Sequence, residues 1–227
     1  MGVTMSWSSI LKSLLAVCIF THLSVSSEER YGCDNKKCYN GRCISNPKTC
    51  ESSKGCFYHV QELKVPNVLS RSLKIKESSC SKDECTELAF SATLGGQWKF
   101  SYDHQCCYTD QCNRMSKHVE SLPSFQPQPN GVECPSCYSE DGECKPVPLK
   151  CTGEETKCIE VIGTAMINGP LCSVIRGMGC ATVTSCGLKN LTILENAKID
   201  TFCSNGSRPL TSFSSALTCL FLMKALL

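Results

Sequence analysis

The chain has 227 residues, room for one or two domains, and 21 of them are cysteine, close to the roughly one in ten that marks a disulfide scaffold. A net charge of +2 and 7% aromatic residues provide no broad basic field for nucleic acid. Thiols at this density are bridged in an oxidising compartment, which argues against an intracellular enzyme, a coiled coil or a disordered tail.

Residues 1–27 read as a signal peptide. Lys12 precedes the apolar run LLAVCIF, and LSVSS offers small residues for cleavage after Ser26 or Ser27. The run falls far short of the ~20 residues that a bilayer requires. The mature chain is expected to begin near Ser27 or Glu28 in the secretory pathway, and Cys18 leaves with the leader.

Residues 28–113 hold the first block of ten cysteines: Cys33, Cys38, Cys43, Cys50, Cys56, Cys80, Cys85, Cys106, Cys107 and Cys112. FYHVQELKV and SLKIKES bracket Pro66 and Asn67, and LAFSATL and QWKFSYD flank Gly95 and Gly96; both are hairpin signatures. Trp98, Phe100 and Tyr102 alternate onto one strand face. They are read as anchors for a protein partner or as the cover of the hairpin's own small core. Tyr58 and Lys74 are further anchor candidates, and Lys74 belongs with Lys64, Arg71 and Lys76 to the most basic surface of the block.

Residues 114–133 lack cysteine and hold Pro123, Pro127 and Pro129, the composition of a linker. Residues 134–203 carry nine more cysteines: Cys134, Cys137, Cys144, Cys151, Cys158, Cys172, Cys180, Cys186 and Cys203. With Cys33 aligned to Cys134 and Cys172 set aside, the gaps run 4, 4, 6, 5, 23, 4 and 20 residues in the first block and 2, 6, 6, 6, 21, 5 and 16 in the second. That shared rhythm is a duplication. KCIEVIGTAM and LCSVIRGM bracket Asn168 and Gly169 as another hairpin.

Chemistry is sparse. Cys134-Pro-Ser-Cys137 is a C-x-x-C, but no second pair follows at similar spacing and His59, His104 and His118 lie far upstream, so a structural disulfide is expected over zinc or redox use. There is no G-x-S-x-G, no H-E-x-x-H and no glycine loop followed by Lys-Ser, and MGCATVTSC has no nearby histidine to activate it. No catalytic residue, metal or cofactor is expected. His104, beside Asp103, reads as a strand-end surface residue. Residues 28–117 carry 14 basic and 11 acidic side chains, and residues 119–207 carry 6 and 10. The asymmetry orients the blocks against each other or a partner, or simply reflects solvated loops.

Asn190 in NLT and Asn205 in NGS are N-glycosylation acceptors. In residues 204–227 the small residues Ser204, Asn205, Gly206 and Ser207 precede a polar spacer and an apolar tail from about position 216, interrupted by Lys224 and carrying Cys219 away. This order is read by the transamidase that exchanges the tail for a glycolipid (GPI) anchor, with Asn205, Ser204 and Gly206 as attachment candidates; a plain secreted terminus is the other reading. Anchor and glycan compete for Asn205, which leaves Asn190 the better glycan site.

The cysteine spacing, closed in the first block by CCYTDQCN at residues 106–113, resembles the three-finger domain of the lymphocyte-antigen-6 and urokinase-receptor (LU) superfamily. Two such blocks, the second reading MGCATVTSC and lacking the final cysteine pair, resemble the gamma-type phospholipase A2 inhibitors, or CNF-like-inhibitor family, and within it a rodent bone-associated branch. The resemblance spans about residues 31–203. It implies a small, disulfide-rich, all-β fold of two tandem three-finger domains. It also implies pairing of Cys33 with Cys56, Cys38 with Cys43, Cys50 with Cys80, Cys85 with Cys106 and Cys107 with Cys112. In the second block it implies Cys134 with Cys158, Cys137 with Cys144, Cys151 with Cys180 and Cys186 with Cys203.

Two departures stand out. The four residues between Cys33 and Cys38 exceed the usual two, and Cys172 has no partner, which leaves open a buried thiol, a mixed disulfide or a covalent homodimer. The expected function is that of an extracellular, GPI-anchored, non-enzymatic protein-binding module of receptor or adhesion type at the cell surface. Its partner is then an extracellular protein, and the membrane is reached through the glycolipid. The alternative is a secreted phospholipase A2 inhibitor, whose partner would be that enzyme.

Overall fold

The computed structural model describes residues 29–44, 48–65, 72–96, 98–115, 128–167, 171–195 and 197–207, without the side chains of 165–167, 171 and 172. The leader, the turns at Pro66 and Asn67 and at Asn168 and Gly169, Arg71, His118, residues 116–127 of the linker and the apolar tail lie outside that description.

Strand formation follows the β-branched and aromatic runs between cysteines. The first block contains β1 (Tyr31–Asp34), β2 (Lys36–Tyr39), β3 (Arg42–Ile44), β4 (Thr49–Ser52), β5 (Cys56–Lys64), β6 (Ser72–Cys80), β7 (Leu88–Leu94) and β8 (Trp98–Cys107). The second contains β9 (Pro129–Ser139), β10 (Val147–Thr152), β11 (Lys157–Ile167), β12 (Leu171–Ala181), β13 (Leu191–Ile193) and β14 (Ala197–Ser204), with one 3-10 turn at Val183–Ser185. Residues 129–133, assigned to the linker on proline content, are strand: Pro129 pairs with Thr152 and Glu133 with Lys150. Proline is tolerated there because it opens the strand, where no ladder donor is needed.

Disulfides join Cys33 to Cys56, Cys38 to Cys43, Cys50 to Cys80, Cys85 to Cys106 and Cys107 to Cys112. In the second block they join Cys134 to Cys158, Cys137 to Cys144, Cys151 to Cys180 and Cys186 to Cys203. Each is worth about 2–5 kcal/mol in so small a domain. Asn113, just after the last bridge of the first block, is fully buried. Its Oδ1 accepts from the Asp34 amide at 2.8 Å, and its Nδ2 donates to the carbonyls of Asp34, Phe57 and Ser79 at 2.9, 3.1 and 3.1 Å. One side-chain amide thus satisfies backbone groups from three separate segments, which no aliphatic residue of that size can do.

β1 pairs only with β4, and the other strands form one twelve-stranded sheet with the main path β13-β14-β11-β12-β7-β8-β5-β6-β2-β3. The blocks are therefore fused through β12. One edge of β12 pairs with β11 throughout, while the other is shared: residues 176–178 pair with 139–137 of β9 and residues 179–181 with 94–92 of β7. Gly179 permits this, since a Cβ there would lie 1.9 Å from the Thr93 carbonyl oxygen. Gly95, at the β7–β8 turn with φ +58°, donates its amide to the Met178 carbonyl at 3.3 Å.

The sheet then curls until its distant parts meet. The Leu194 amide, after β13, donates to Gln61 Oε1 on β5 at 2.7 Å, and Glu195 accepts from Tyr39 Oη and pairs with Lys37 on β2. Inside lie Phe90, Phe100 and Tyr102 from the first block and Ile159, Val161 and Ile199 from the second. Burial of each such side chain stabilises by about 1.5–3 kcal/mol.

Gly179→Val is expected to separate β7 from β12 while leaving every bridge intact. Overpacking of this kind costs about 1–3 kcal/mol or more. A lowered thermal midpoint with faster cleavage between the blocks, in non-reducing limited proteolysis, checks it.

Candidate functional site: the block junction and the outer face of the second block

The aromatic residues singled out on β8 belong to the junction. Phe100 and Tyr102 are each only 6% exposed and Tyr58 1%, so none of the three can anchor a partner, and that reading is corrected. Phe90 stacks on Tyr102 with centroids 5.0 Å apart, and Trp98 lies against Tyr138 of the second block at 4.7 Å. With Leu63 and Ile199, the rings of Phe90, Phe100, Trp98 and Tyr138 wall an apolar cavity of about 90 Å³. Burial pushes the Tyr102 phenol up to about 12. Lys74 is half-buried on β6, its backbone exchanging hydrogen bonds with Asn40: the Asn40 amide donates to its carbonyl and its own amide donates to Asn40 Oδ1.

The opposite face of β7 and β8 is polar and is also covered. Glu155, 4% exposed, accepts from Ser91 Oγ at 3.0 Å, and Thr182 and Ser91 exchange amide hydrogen bonds at 3.0 and 3.1 Å. Glu155 Oε2 has no partner among the described residues. Burial pushes its carboxyl up, against the opposing pull of Thr93, Ser91 and Lys99.

His104 is half-buried and not a free strand end. Its Nδ1 faces His59 Nδ1 at 3.2 Å. Burial pushes the His59 imidazole down to about 3, with His104 and Lys37 adding to the effect, and burial also lowers His104 against Asp103, Glu77 and Glu87.

The surface that sequence reasoning missed is the outer face of β11, β12 and β14. On β11, Ile159 and Val161 point inward while Glu160, Ile162 and Thr164 alternate outward. Ile162 is 42% exposed, Val174 50% and Phe202 47%. Charges lie among them: Arg176, opposite Ile162 in the register, donates to Glu160, opposite Phe202, at 2.7 Å, and the Lys189 ammonium lies 4.0 Å over the Phe202 ring. The signal was present in CIEVIGT, where Ile162 interrupts the otherwise polar outward set Glu160 and Thr164.

Asn190 is exposed at φ 52°, and Thr192 of its sequon is exposed as well. Asn205 is exposed and accepts from Lys157 Nζ at 2.7 Å. Ser204 ends β14. Gly206 sits so close to the second block that a Cβ would approach Val132 Cγ1 to 2.4 Å. The Ser207 carbonyl accepts from the Glu133 amide at 3.0 Å. Cys172 pairs with Met166 in the β12–β11 register, and its thiol lies outside the described side chains. The cysteines that cluster at the two hubs, such as Cys134, Cys151 and Cys180, are all bridged and offer no thiolate.

No family model matches the chain. It is 55% identical over 207 residues to Protein RoBo-1 of the rat, covering 91% of this chain and 84% of that one. The chain belongs to the RoBo-1 family of Ly6/PLAUR-domain proteins. Ly6/PLAUR domain-containing protein 8 of cattle is 22% identical over 188 residues, covering 78% of this chain and 76% of that one. The mouse protein of that name is 25% identical over 174 residues, 74% and 63% of the two chains. The crystal structure of mouse TEX101 matches 78% of this chain and 99% of its own at 15% identity and a TM-score of 0.35. Within this RoBo-1 relative, the described residues include no helix long and apolar enough to cross a membrane.

Two titrations follow. The raised Glu155 carboxyl contributes stability below its ordinary 4.5 and loses it as pH rises, so Glu155→Gln should raise the melting midpoint at neutral pH. The lowered His59 contributes stability above 6.5 that is lost as pH falls toward about 3. Thermal melts across that window should therefore show a smaller acid loss in His59→Gln than in the wild type.

Proposed function

We propose that the protein is an extracellular, glycolipid-anchored and non-enzymatic binding module that engages a protein partner through the outer face of β11, β12 and β14. The observation that carries this reading is the exposure of Ile162, Val174 and Phe202 on three adjacent strands. Single exposed apolar residues are ordinary. Here Ile162 lies diagonal to both Val174 and Phe202 in the strand register, with the Glu160–Arg176 ion pair between them, so apolar anchors and charges share one rigid sheet face, as they do in a protein interface.

Family membership supports the extracellular setting, and the bridges suit it. The small residues at 204–206 sit at the end of β14, so an anchor there would hold the second block close to the bilayer. A glycan on Asn190 would border the face on the β14 side, next to Lys189, and leave the β12 side open.

Phosphatidylinositol-specific phospholipase C is expected to release the protein from expressing cells. In the released protein, Ile162→Asp or Val174→Asp should weaken binding to partner-bearing cells by about 30-fold, the effect of one hot-spot residue worth ~2 kcal/mol. Ile44→Asp, at an exposed position on the edge strand β3, should not. Inhibition of a secreted phospholipase A2 that survives the face variants, without binding to cells, would replace this reading by the inhibitor one.

A further inference from the structure

We propose that His59 and His104 form a two-histidine site for an imidazole-preferring divalent metal ion, of the Zn²⁺ class, beside an acidic groove of the first block. The inference is independent of the partner face, which lies on the second block.

β5 and β8 are antiparallel neighbours, and His59 stands directly opposite His104 in their register. Residues directly opposite send their side chains to the same face. The two Nδ1 atoms are 3.2 Å apart, with ring planes 79° to one another. Metal–nitrogen bonds of about 2.0–2.1 Å to both atoms would subtend an angle of about 100–106°, near the tetrahedral value that Zn²⁺ adopts. The pair is therefore spaced as two ligands of one ion are spaced.

Without an ion, one ring donates its Nδ1–H to the other Nδ1. Binding needs the donor ring only to move that proton to its own Nε2, so two neutral imidazoles become two ligands with no net proton release.

The surroundings fit a cation. Glu77 stands opposite His59 on β6. An open groove of about 370 Å³ beside the pair is lined by Glu77, Asp83, Glu84, Ser79, Lys82 and His104. Three carboxylates against Lys82 on the lining and Lys37 on Glu77 leave a net negative charge. Lys37 already holds Glu77 at 3.1 Å, so water or an incoming carboxylate would complete the coordination and keep the site open. Imidazole donors suit Zn²⁺, Cu²⁺ and Ni²⁺, whereas Ca²⁺ wants six to eight oxygens. Cys85 Sγ, 3.5 Å from His104 Nε2, is locked in its bridge to Cys106 and is no ligand.

The test uses untagged, fully bridged protein at neutral pH, titrated with ZnCl2. The expected result is one bound equivalent, a raised melting midpoint and no response to CaCl2. His104→Gln is the variant of choice because that ring lines the groove, and it should weaken Zn²⁺ binding more than ~10-fold. In the wild type, substoichiometric Cu²⁺ should broaden the ring resonances of His59 and His104 before those of His118. Absence of any Zn²⁺-dependent shift overturns the proposal. So does binding that persists in His104→Gln but disappears in His118→Gln or Cys172→Ser, which would put the ion on the linker or on Cys172.

Discussion

The approach of the Thr93 carbonyl to the bare Cα of Gly179 decides the architecture. Because β12 carries no side chain there, β7 can hydrogen-bond to it, and two sheets that would otherwise end at open edges become one. Open edges are sticky, so pairing them removes a liability as well as joining the blocks. The fused sheet can then close on itself until Leu194 and Glu195 reach β5 and β2. Closure buries the aromatic face of the first block against the aliphatic face of the second and leaves the other side of β11, β12 and β14 in solvent. The same contact that covers one candidate binding surface uncovers another.

The two blocks reach this geometry with different local chemistry. The first ends in a bridge followed by Asn113, whose amide collects backbone groups from β1, β5 and β6. The second lacks that last cysteine pair. Thr201 serves there, its Oγ1 donating to the Ser185 carbonyl at 2.6 Å and accepting from the Leu188 amide at 2.9 Å. Ser207, pairing with Glu133, ties the chain down after the final strand. A hydroxyl on a strand and a short backbone bridge replace a disulfide and a buried amide, two routes to the same requirement that buried backbone groups find partners.

The disulfide-rich, all-β class was legible in the cysteine count and in the strand runs between cysteines, while the three-finger arrangement and the pairing came from the family resemblance, since spacing alone leaves many connectivities open. The hairpins at Gly95 and Gly96 were legible from turn chemistry. What the sequence concealed depends on the second block as a neighbour. Trp98, Phe100 and Tyr102 alternate in the same way whether that face meets solvent or another sheet, so periodicity alone cannot say which. His59 and His104 are 45 positions apart, and only the β5–β8 register makes them neighbours. Pro129 read as linker because proline content reports a missing donor and not the edge position that makes the loss harmless. Ile162 was hidden because it directly follows the inward-facing Val161 and reads as a continuation of the core run.

All nine bridges among the described residues stay within one block, and the β7–β12 seam is three residue pairs long. Under tension the molecule is therefore a pair of nearly inextensible links with a compliant joint. A pull that entered at the tip of the first block and left through β14 could not lengthen either knot. It would be borne by the non-covalent contacts of the junction: the β7–β12 pairs, the Gly95 turn, the Ser91 contacts with Thr182 and Glu155, the Leu194 and Glu195 contacts and the apolar interior. Separation there would expose the apolar lining of the cavity while every disulfide remained closed, so the junction would yield first and could close again once the load was removed.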